Sequence, residues 1–287
     1  MKKKQTINEA MELKAKKRKK NSIRVKKLVL WLKFLTISAL FIAAVAFTAL
    51  SPLFDLKAIE VKGNVHYNKE FLSGLADIQM GENGFKAIGS SPLNIIRFRF
   101  GAAEAAIRSN SPYVKDVRVG YAIPSTVVIE VTERTAAAVV PYMGTSLLID
   151  REGYVLESIA AGEKIILPVI NGLELTEYEL GKKLNIKNSG ALENGMKLLD
   201  AVKDSDKTDK TQMYGIINAV DAGDGENMKL LLDSRVWVNL GDLQDLNYRI
   251  STAKAIFNKN IKKGEKGTLD FTTGENPVFS PDGGGKY

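Results

Sequence analysis

The chain contains no cysteine and a single histidine, His66, among its 287 residues. The absence of cysteine excludes disulfides, thiolate metal sites and a cysteine nucleophile. A lone histidine cannot build a multi-histidine metal site, and any Ser-His-Asp triad would have to use it. His66 lies in a predicted turn beside Tyr67, where a structural role is favoured over a catalytic one. The folded part must therefore be stabilised by burial rather than by covalent or metal cross-links.

Acidic residues and glycines also give little indication of an active site. Asp221, Asp224 and Glu226 form the best acidic cluster, but their spacing falls short of a calcium-binding loop. Because aspartate and glycine dominate tight turns, a hairpin turn is favoured there over a weak cation site. The glycines between residues 81 and 89 lack the spacing and the lysine of a phosphate-binding loop. The sequence predicts no metal or cofactor site, although paired carboxylates for glycan hydrolysis are not excluded.

Charge is almost absent from residues 28–50, where Lys33 is the one exception. A helix of this length, rising about 1.5 Å per residue, can cross a hydrocarbon core about 30 Å thick. Residues 1–27 carry twelve Lys or Arg and two acids, whereas residues 51–287 have a net charge of −3. The positive-inside rule then predicts a basic cytoplasmic tail (1–27), a transmembrane signal anchor (28–50) and an extracytoplasmic remainder.

A cleavable signal peptide, a nucleic-acid-binding tail and a functional intramembrane lysine are the alternatives for this N-terminal region. Small residues near the end of the apolar run could form a signal-peptidase site, but the run is longer than a usual signal sequence. The basic run Lys16–Lys20 fits membrane topology and anionic lipid better than nucleic acid. Lys33 is expected to extend its ammonium to the cytoplasmic surface rather than to act within the membrane. The composition of the tail suggests disorder.

Hydrophobic periodicity and turn residues predict a mixed α and β fold beyond the membrane segment. The first part alternates strands with short helices and a Gly- and Ser-rich loop. Its predicted elements are, in order, a strand within 55–62, a turn at Gly63-Asn64, a helix capped by Asn68, a loop over 80–92, a helix over 98–109, and strands at 114–119 and 126–131.

From Thr135 onward strands dominate the predicted structure. The predicted elements are a hairpin over 146–156, a strand at 168–170, a helix over 189–203, a charged solvent loop at 205–210, strands at 216–220, 228–232 and 236–240, a helix over 242–258 capped by Asp242, and a last strand at 267–271. The Gly- and Pro-rich segment 274–287 is predicted to be a flexible tail.

Several blocks that follow the apolar run in a fixed order carry a resemblance. They are Phe54–Asn64, Pro112–Val119 with Pro124–Arg134, Leu148–Leu156, Val238–Asp242 and Gly267–Phe271. Together they resemble the bacterial cell-division proteins of the FtsQ/DivIB family, although Thr135–Ala138 departs from the proline-containing step that is more usual there. The resemblance implies an α+β fold with a small polypeptide-transport-associated (POTRA) domain (β-α-α-β-β) over 53–134. A mixed β-sheet domain with helices, of the FtsQ type, would follow over 135–273.

The resemblance also implies partners and a binding surface. In that family the C-terminal part of the β domain recruits two small bitopic coiled-coil division proteins, of the FtsB/DivIC and FtsL types. Carried over by position, the partner-binding edge would comprise Gly267, Thr268, Leu269, Asp270 and Phe271, with Tyr248 and Arg249 on the preceding helix. A free final strand offers unpaired N–H and C=O groups to which a partner segment can add. Alternatively, the side chains of Leu269 and Phe271 only close the core.

The function that follows is a non-enzymatic bitopic scaffold of the divisome, located at the division septum. It would link cytoplasmic and extracytoplasmic division proteins, and its POTRA domain would offer a second contact surface. A membrane-anchored peptidoglycan enzyme is the alternative from another class. A POTRA protein for secretion or sporulation is a further alternative, because the domain alone does not identify the task.

Overall fold

The computed structural model describes residues 2–160, 162–163, 165–208, 211–223, 225–274 and 276–282. The chain forms two compact units, and both draw on the region between the membrane segment and residue 134. The first unit comprises residues 1–60, 77–101 and 119–128, and the second comprises 61–76, 102–118 and 129–287.

The first helix, α1, runs without interruption from Lys2 to Ala49. Its stretch Lys26–Ala49 is long and apolar enough to cross a membrane. The side chains of this stretch are largely exposed, as expected for a helix whose solvent is lipid rather than water. The disorder suggested by the composition of the basic tail is therefore not found, since its backbone is helical from residue 2.

A three-stranded sheet with the order β1-β3-β2 follows the membrane segment. The predicted α+β class is confirmed, and the predicted order β-α-α-β-β is found with two additional short helices between β1 and β2, one of which lies within the predicted loop over 80–92. Asn83 explains that helix, because its side-chain oxygen accepts a hydrogen bond from Phe85 N at 3.1 Å. Asn68 caps the preceding helix as predicted, accepting from Phe71 N at 2.8 Å. The elements are β1 Ala58–Lys62, α2 Lys69–Ala76, α3 Gly84–Ala87, α4 Pro92–Arg97, α5 Gly101–Asn110, β2 Val114–Ala122 and β3 Thr126–Glu133.

A nine-stranded mixed sheet dominates the rest of the chain, with the order β14-β13-β12-β11-β10-β7-β4-β5-β6. The pairs β4–β7, β7–β10 and β12–β13 are parallel, and the other pairs are antiparallel. The strands of this sheet are β4 Ala136–Tyr142, β5 Thr145–Asp150, β6 Val155–Ala160, β7 Val169–Asn171, β10 Ile217–Asp221, β11 Met228–Leu232, β12 Val236–Gly241, β13 Gly267–Asp270 and β14 Val278–Pro281. A small hairpin pairs β8 Leu175–Glu177 with β9 Asn185–Ile186.

Two helices, α6 (Ser189–Thr208) and α7 (Leu246–Lys259), supply the apolar cover of this sheet. Their buried side chains join one core cluster with alternate residues of the central strands. The alternation follows from the period of two in a strand, which sends successive side chains to opposite faces. The helix residues in the cluster are Leu192, Met196, Leu198, Leu199, Val202, Ile250, Ala253 and Phe257.

The charged loop predicted at 205–210 is wrong as far as residue 208, because α6 continues through it. Asp206 is buried, and its carboxylate accepts hydrogen bonds from Met213 N at 3.0 and 2.9 Å and from Tyr214 N at 2.8 Å. Lys254 of α7, also buried, contacts the same carboxylate at 2.7 Å. Burial alone would raise the pKa of Asp206, but the hydrogen bonds from Lys254 and the two backbone amides lower it. A segment whose charges predicted a solvent loop therefore contains one half of a buried ion pair. Residues 209 and 210 of the predicted loop lie outside the described residues.

Candidate interaction surfaces

The sheet edge predicted at Gly267–Phe271 is covered by another strand. Residues Val278–Pro281, within the segment predicted to be a flexible tail, form β14 and pair antiparallel with β13. Four residue pairs stand in register, from Gly267 opposite Pro281 to Asp270 opposite Val278. The expectation that 267–271 is the free final strand is therefore wrong. The edge at this end of the sheet is β14, while Glu275 and residues 283–287 lie outside the described part of the chain.

Gly267 shows why β14 can approach so closely. A Cβ built at this position would lie 2.8 Å from Pro281 Cα and 2.9 Å from Phe279 Cζ, and closer still to Ser280 O. Separations this short do not occur for real side chains, so the pairing requires glycine here. Phe279 also packs against the core cluster from its partly buried position. Backbone pairing, a glycine and an aromatic contact together attach β14 to the sheet.

The side chains of β13 divide between the core and the edge. Leu269 is fully buried in the core, and Phe271 packs against the same core from a partly buried position. Asp270 accepts hydrogen bonds from Thr272 N and Oγ1, both at 2.7 Å, and from Asn239 Nδ2 at 3.3 Å. Burial would raise the pKa of Asp270, but these hydrogen bonds lower it. The predicted partner-binding residues therefore already have internal roles, and Thr268 faces Ser280 across the register.

Tyr248 and Arg249, the other two predicted partner-binding residues, differ in availability. Tyr248 is exposed on α7. Arg249 is tied down, because its Nη1 donates to Leu240 O, to Asp242 O at 3.2 Å and to Asp242 Oδ1 at 3.0 Å. Asp242 does not cap α7 as the sequence predicts, because the helix begins four residues later, at Leu246. Arg249 holds the connection between β12 and α7, whereas the side chain of Tyr248 is exposed.

A second cluster gathers at the end of β3, where Arg134 is almost fully buried. Its Nη1 lies 2.5 Å from Asp150 Oδ2 and 3.1 Å from Glu152 Oε2, and its guanidinium carbon lies 3.5 Å from the centre of the Tyr154 ring. Burial alone would lower the pKa of Arg134, but the hydrogen bonds with Asp150 and Glu152 raise it. The pKa of Glu152 is lowered by its hydrogen bonds with Lys115 and Arg134. Arg134 thereby joins β3 to the β5–β6 hairpin.

His66 and its neighbours extend this cluster through aromatic contacts. The His66 ring stacks on Tyr113 with centroids 3.6 Å apart and an angle of 11° between the planes. Tyr113 donates to Glu157 Oε2 at 3.0 Å, and burial together with that carboxylate raises its pKa. Glu133 accepts from the backbone N–H groups of residues 65, 66 and 67 at 2.8, 2.5 and 3.1 Å. These contacts give His66 the structural role that the sequence favoured. No signal in the sequence indicated this cluster as a unit, because its members are distant along the chain.

The remaining candidates for chemistry do not assemble an active site in the described residues. Asp221 Oδ1 accepts from Gly223 N at 3.4 Å, which is a turn contact, and Asp224 lies outside the described residues. No group of three or more His, Asp or Glu residues that could hold a metal occurs where the structure is described. The expectation that no S-x-x-K context occurs is wrong in spacing, because Ser251 and Lys254 have that spacing. Lys254 Nζ contacts Asp206, while Ser251 Oγ donates to Asn247 O at 2.6 Å, so the pair is not a nucleophile with its base.

Known proteins are similar to this chain in sequence. Residues 54–134 match the family described as POTRA domain, FtsQ-type. Cell division protein DivIB of Clostridium botulinum (strain Loch Maree / Type A3) is 27% identical over 271 residues, which cover 91% of this chain and 93% of that protein. Cell division protein DivIB of Clostridium tetani (strain Massachusetts / E88) is 26% identical, with 79% of each chain covered. The chain is therefore similar to proteins named DivIB over most of its length, and residues 54–134 carry the FtsQ-type POTRA match.

Proteins named FtsQ match over a shorter part of the chain. Cell division protein FtsQ of Geobacter sp. (strain M21) is 28% identical over 151 residues, which cover 53% of this chain and 49% of that protein. The relatives named DivIB are similar to the chain over most of its length, and those named FtsQ over about half of it. Both names describe cell division proteins, which supports a role for this chain in bacterial cell division.

Proposed function

We propose that the chain is a non-enzymatic, single-pass scaffold of the division machinery. In this proposal α1 spans the membrane with residues 1–27 in the cytoplasm, and the part from residue 51 onward lies outside. The asymmetry of charge supports that orientation, because twelve basic residues precede the apolar stretch and the remainder has a net charge of −3. We further propose a POTRA domain over 53–134, a β domain over 135–273 and a location at the septum.

The partners we propose are small bitopic coiled-coil division proteins of the FtsB/DivIC and FtsL types. A single membrane helix confines both partners to two dimensions and so raises their effective concentration. An edge strand then supplies backbone N–H and C=O groups to which a segment of the partner can add. The edge formed by β13 and β14 is the observation on which this proposal depends.

Two binding geometries are open to such a partner. It can extend the sheet by pairing with β14, whose outer side is exposed at Val278. Pro277 and Pro281 shorten the usable edge, because proline has no N–H to donate. It can instead displace β14 and pair directly with Gly267–Phe271. Tyr248 on α7 is the proposed side-chain contact in either geometry.

A reversible cross-link distinguishes these geometries. Thr268 and Ser280 stand opposite each other, and the chain has no cysteine of its own, so Thr268→Cys with Ser280→Cys creates a unique pair. Binding of the coiled-coil partners to the full chain would be measured by co-purification, with the pair oxidised and then reduced. Binding lost on oxidation and regained on reduction would show displacement of β14. Binding unaffected by oxidation would show addition to β14.

A truncation and a side-chain variant test whether this edge binds partners at all. We expect removal of residues 274–287 to alter partner binding, and Tyr248→Ala to weaken it. The matched control is Tyr142→Ala, a half-buried tyrosine on β4 whose hydroxyl donates to Thr176 O at 3.1 Å. Partner binding that is the same in the truncated chain, in Tyr248→Ala and in the control would refute the edge as the binding surface.

A further inference from the structure

Part of the first compact unit exposes apolar side chains beside the membrane segment. Leu93, Ile95, Ile96 and Phe98 follow one another on α4 and its C-terminal cap, and all four are exposed, Ile96 by 73%. Ile123, which belongs to the same unit, is also exposed. Single exposed apolar residues are ordinary, but several consecutive ones indicate a surface that contacts something apolar.

The charges of this segment have one sign. Between Gly84 and Gly101 the sequence contains Lys86, Arg97 and Arg99 and no acidic residue. This contrasts with the net charge of −3 for residues 51–287 as a whole. Basic and apolar side chains together are the composition of a segment that lies in the interface of an anionic membrane.

Hydrogen bonds connect this segment to the last residues of α1. Asn83, which caps α3 and is buried, donates through Nδ2 to Ala49 O at 3.0 Å and to Ser51 O at 3.3 Å. Tyr121 Oη donates to Phe54 O at 3.0 Å, just beyond that helix end. The segment is therefore held at the point where the apolar helix ends.

Apolar side chains of the same unit also lie along α1 itself. Phe54, Phe85 and Ile123 share a cavity of about 450 Å³ with Ala44, Val45, Thr48 and Ala49 of the helix. Ala44 precedes the helix end at Ala49 by about 7.5 Å at the usual rise of a helix. Phe85, which lines this cavity, is also in edge contact with Phe98 at the cap of α4, with 6.1 Å between the ring centroids. In a bilayer that surrounds Lys26–Ala49, these side chains would lie beside the last turns of the apolar helix, where headgroups meet acyl chains.

We propose that residues 84–99, together with Ile123, lie on the outer surface of the lipid bilayer. The apolar side chains enter the boundary between headgroups and acyl chains, and Lys86 and Arg97 contact the phosphates of anionic phospholipids. The occupant is lipid rather than a protein because the segment is fixed to the end of a helix that a bilayer surrounds. This inference rests on the membrane anchoring in the proposed function, and it adds a lipid-binding surface to it.

Fluorescence quenching of single-cysteine variants tests this proposal. Since the chain has no cysteine, Ile96→Cys can carry one environment-sensitive probe on the full chain, reconstituted as one copy per nanodisc. Nitroxide lipids labelled near the headgroup end of the acyl chain should remove roughly half or more of its fluorescence, as for a group about 5–10 Å into the interface. Val45→Cys, within α1, reports separately whether the helix itself is inserted.

The proposal would be overturned if aqueous iodide quenched the fluorescence of the probe at residue 96 and nitroxide lipid did not, while nitroxide lipid quenched the probe at residue 45. A probe at residue 45 that is not quenched would instead refute the membrane anchoring itself.

The proposed contacts of Lys86 and Arg97 with anionic phospholipids have a separate test. With phosphatidylglycerol added to phosphatidylcholine, quenching at residue 96 should increase, and Lys86→Gln with Arg97→Gln should abolish that increase. Lys262→Gln with Lys263→Gln removes the same charge from an exposed loop elsewhere and should leave the increase intact. An equal effect of the two double variants, or no effect of either, would contradict the assigned phosphate contacts.

Discussion

Arg134 is the residue on which the cluster at the end of β3 depends. Its guanidinium and the Asp150 carboxylate are both more than nine-tenths buried, at 8% and 7% side-chain exposure. Asp150 also accepts from Glu152 N at 2.9 Å and Tyr154 N at 2.8 Å, which shapes the β5–β6 turn. A buried ion pair adds little net stability compared with apolar packing, yet the loss of one partner leaves an uncompensated charge.

We therefore expect Arg134→Met to lower the free energy of unfolding by about 3–5 kcal/mol. Arg134→Lys is the matched control, since it keeps the charge but loses the planar contact with Tyr154, and its loss should be smaller. Urea unfolding of the full chain in detergent, followed by circular dichroism, measures both. A change of less than about 1 kcal/mol for Arg134→Met would show that the cluster is not structural.

Asp206 and Lys254 form the second buried pair, between α6 and α7. Lys254→Met removes the cation and leaves the carboxylate buried, so we expect a loss of about 3–5 kcal/mol. Asp206→Asn combined with Lys254→Met should cost less than the sum of the single substitutions, because the double variant leaves no unpaired charge. A double-mutant cycle in urea measures this coupling, and strict additivity would refute the pairing.

The lowered pKa values of Glu152, Asp206 and Asp270 predict how stability depends on pH. A carboxyl group whose pKa is lower in the folded state stabilises the fold above its unfolded pKa of about 4. That contribution is lost as the pH falls through the folded pKa, so stability should decrease from about pH 4 downward.

Thermal unfolding at a series of pH values checks this expectation, with Asp206→Asn as the comparison. The variant should show a weaker dependence on pH in the acid range than the parent chain. If the stability of the parent chain and of the variant depended on acid pH in the same way, Asp206 would not contribute to the pH dependence of stability.

At the scale of elements, β14 determines what the end of the large sheet presents. Gly267→Ala should push β14 away from β13, because the new Cβ would overlap Ser280 and Phe279. We expect the backbone amides of residues 278–281 to lose hydrogen-exchange protection in this variant. Gly215→Ala is the control, since a Cβ there meets open space. Protection at 278–281 unchanged by Gly267→Ala would mean that the pairing does not depend on the glycine.

Local periodicity predicted most elements, and the exceptions have physical reasons. The strands β10, β11, β12 and β13 lie within one residue of their predicted bounds, because each is a short apolar run between turn residues. The strand β14 was missed because Pro277, Pro281 and nearby glycines are typical of a loop. Its pairing depends on Gly267, whose role is visible only in the folded structure.

The candidate sites were less predictable than the elements. The family resemblance directed attention to the end of the sheet at β13, but it could not show that β14 covers that strand. Asp206 was assigned to a solvent loop because charges are mostly exposed, and its partner Lys254 is 48 residues away. The cluster around Arg134 likewise combines residues from three separate parts of the chain. Contacts of this kind depend on tertiary packing, which a pattern in a single sequence does not record.

At the scale of the whole molecule, the proposed scaffold combines one helix long and apolar enough to cross a membrane with a large folded part. The relatives that cover most of the chain are named cell division proteins. A membrane-anchored scaffold accounts for the apolar helix, for the sheet edge at β14 and for the basic, apolar surface at residues 84–99. A wall enzyme would leave the sheet edge without a role.

The central claim, a scaffold of the divisome, is tested most directly by fluorescence microscopy of the full chain in growing cells of its source bacterium. The fluorescent protein would be fused to the cytoplasmic N-terminus, so that the folded part and its edges remain unmodified. The account predicts a band at midcell that appears with the septum and narrows as it closes. A uniform membrane signal throughout the division cycle would contradict it.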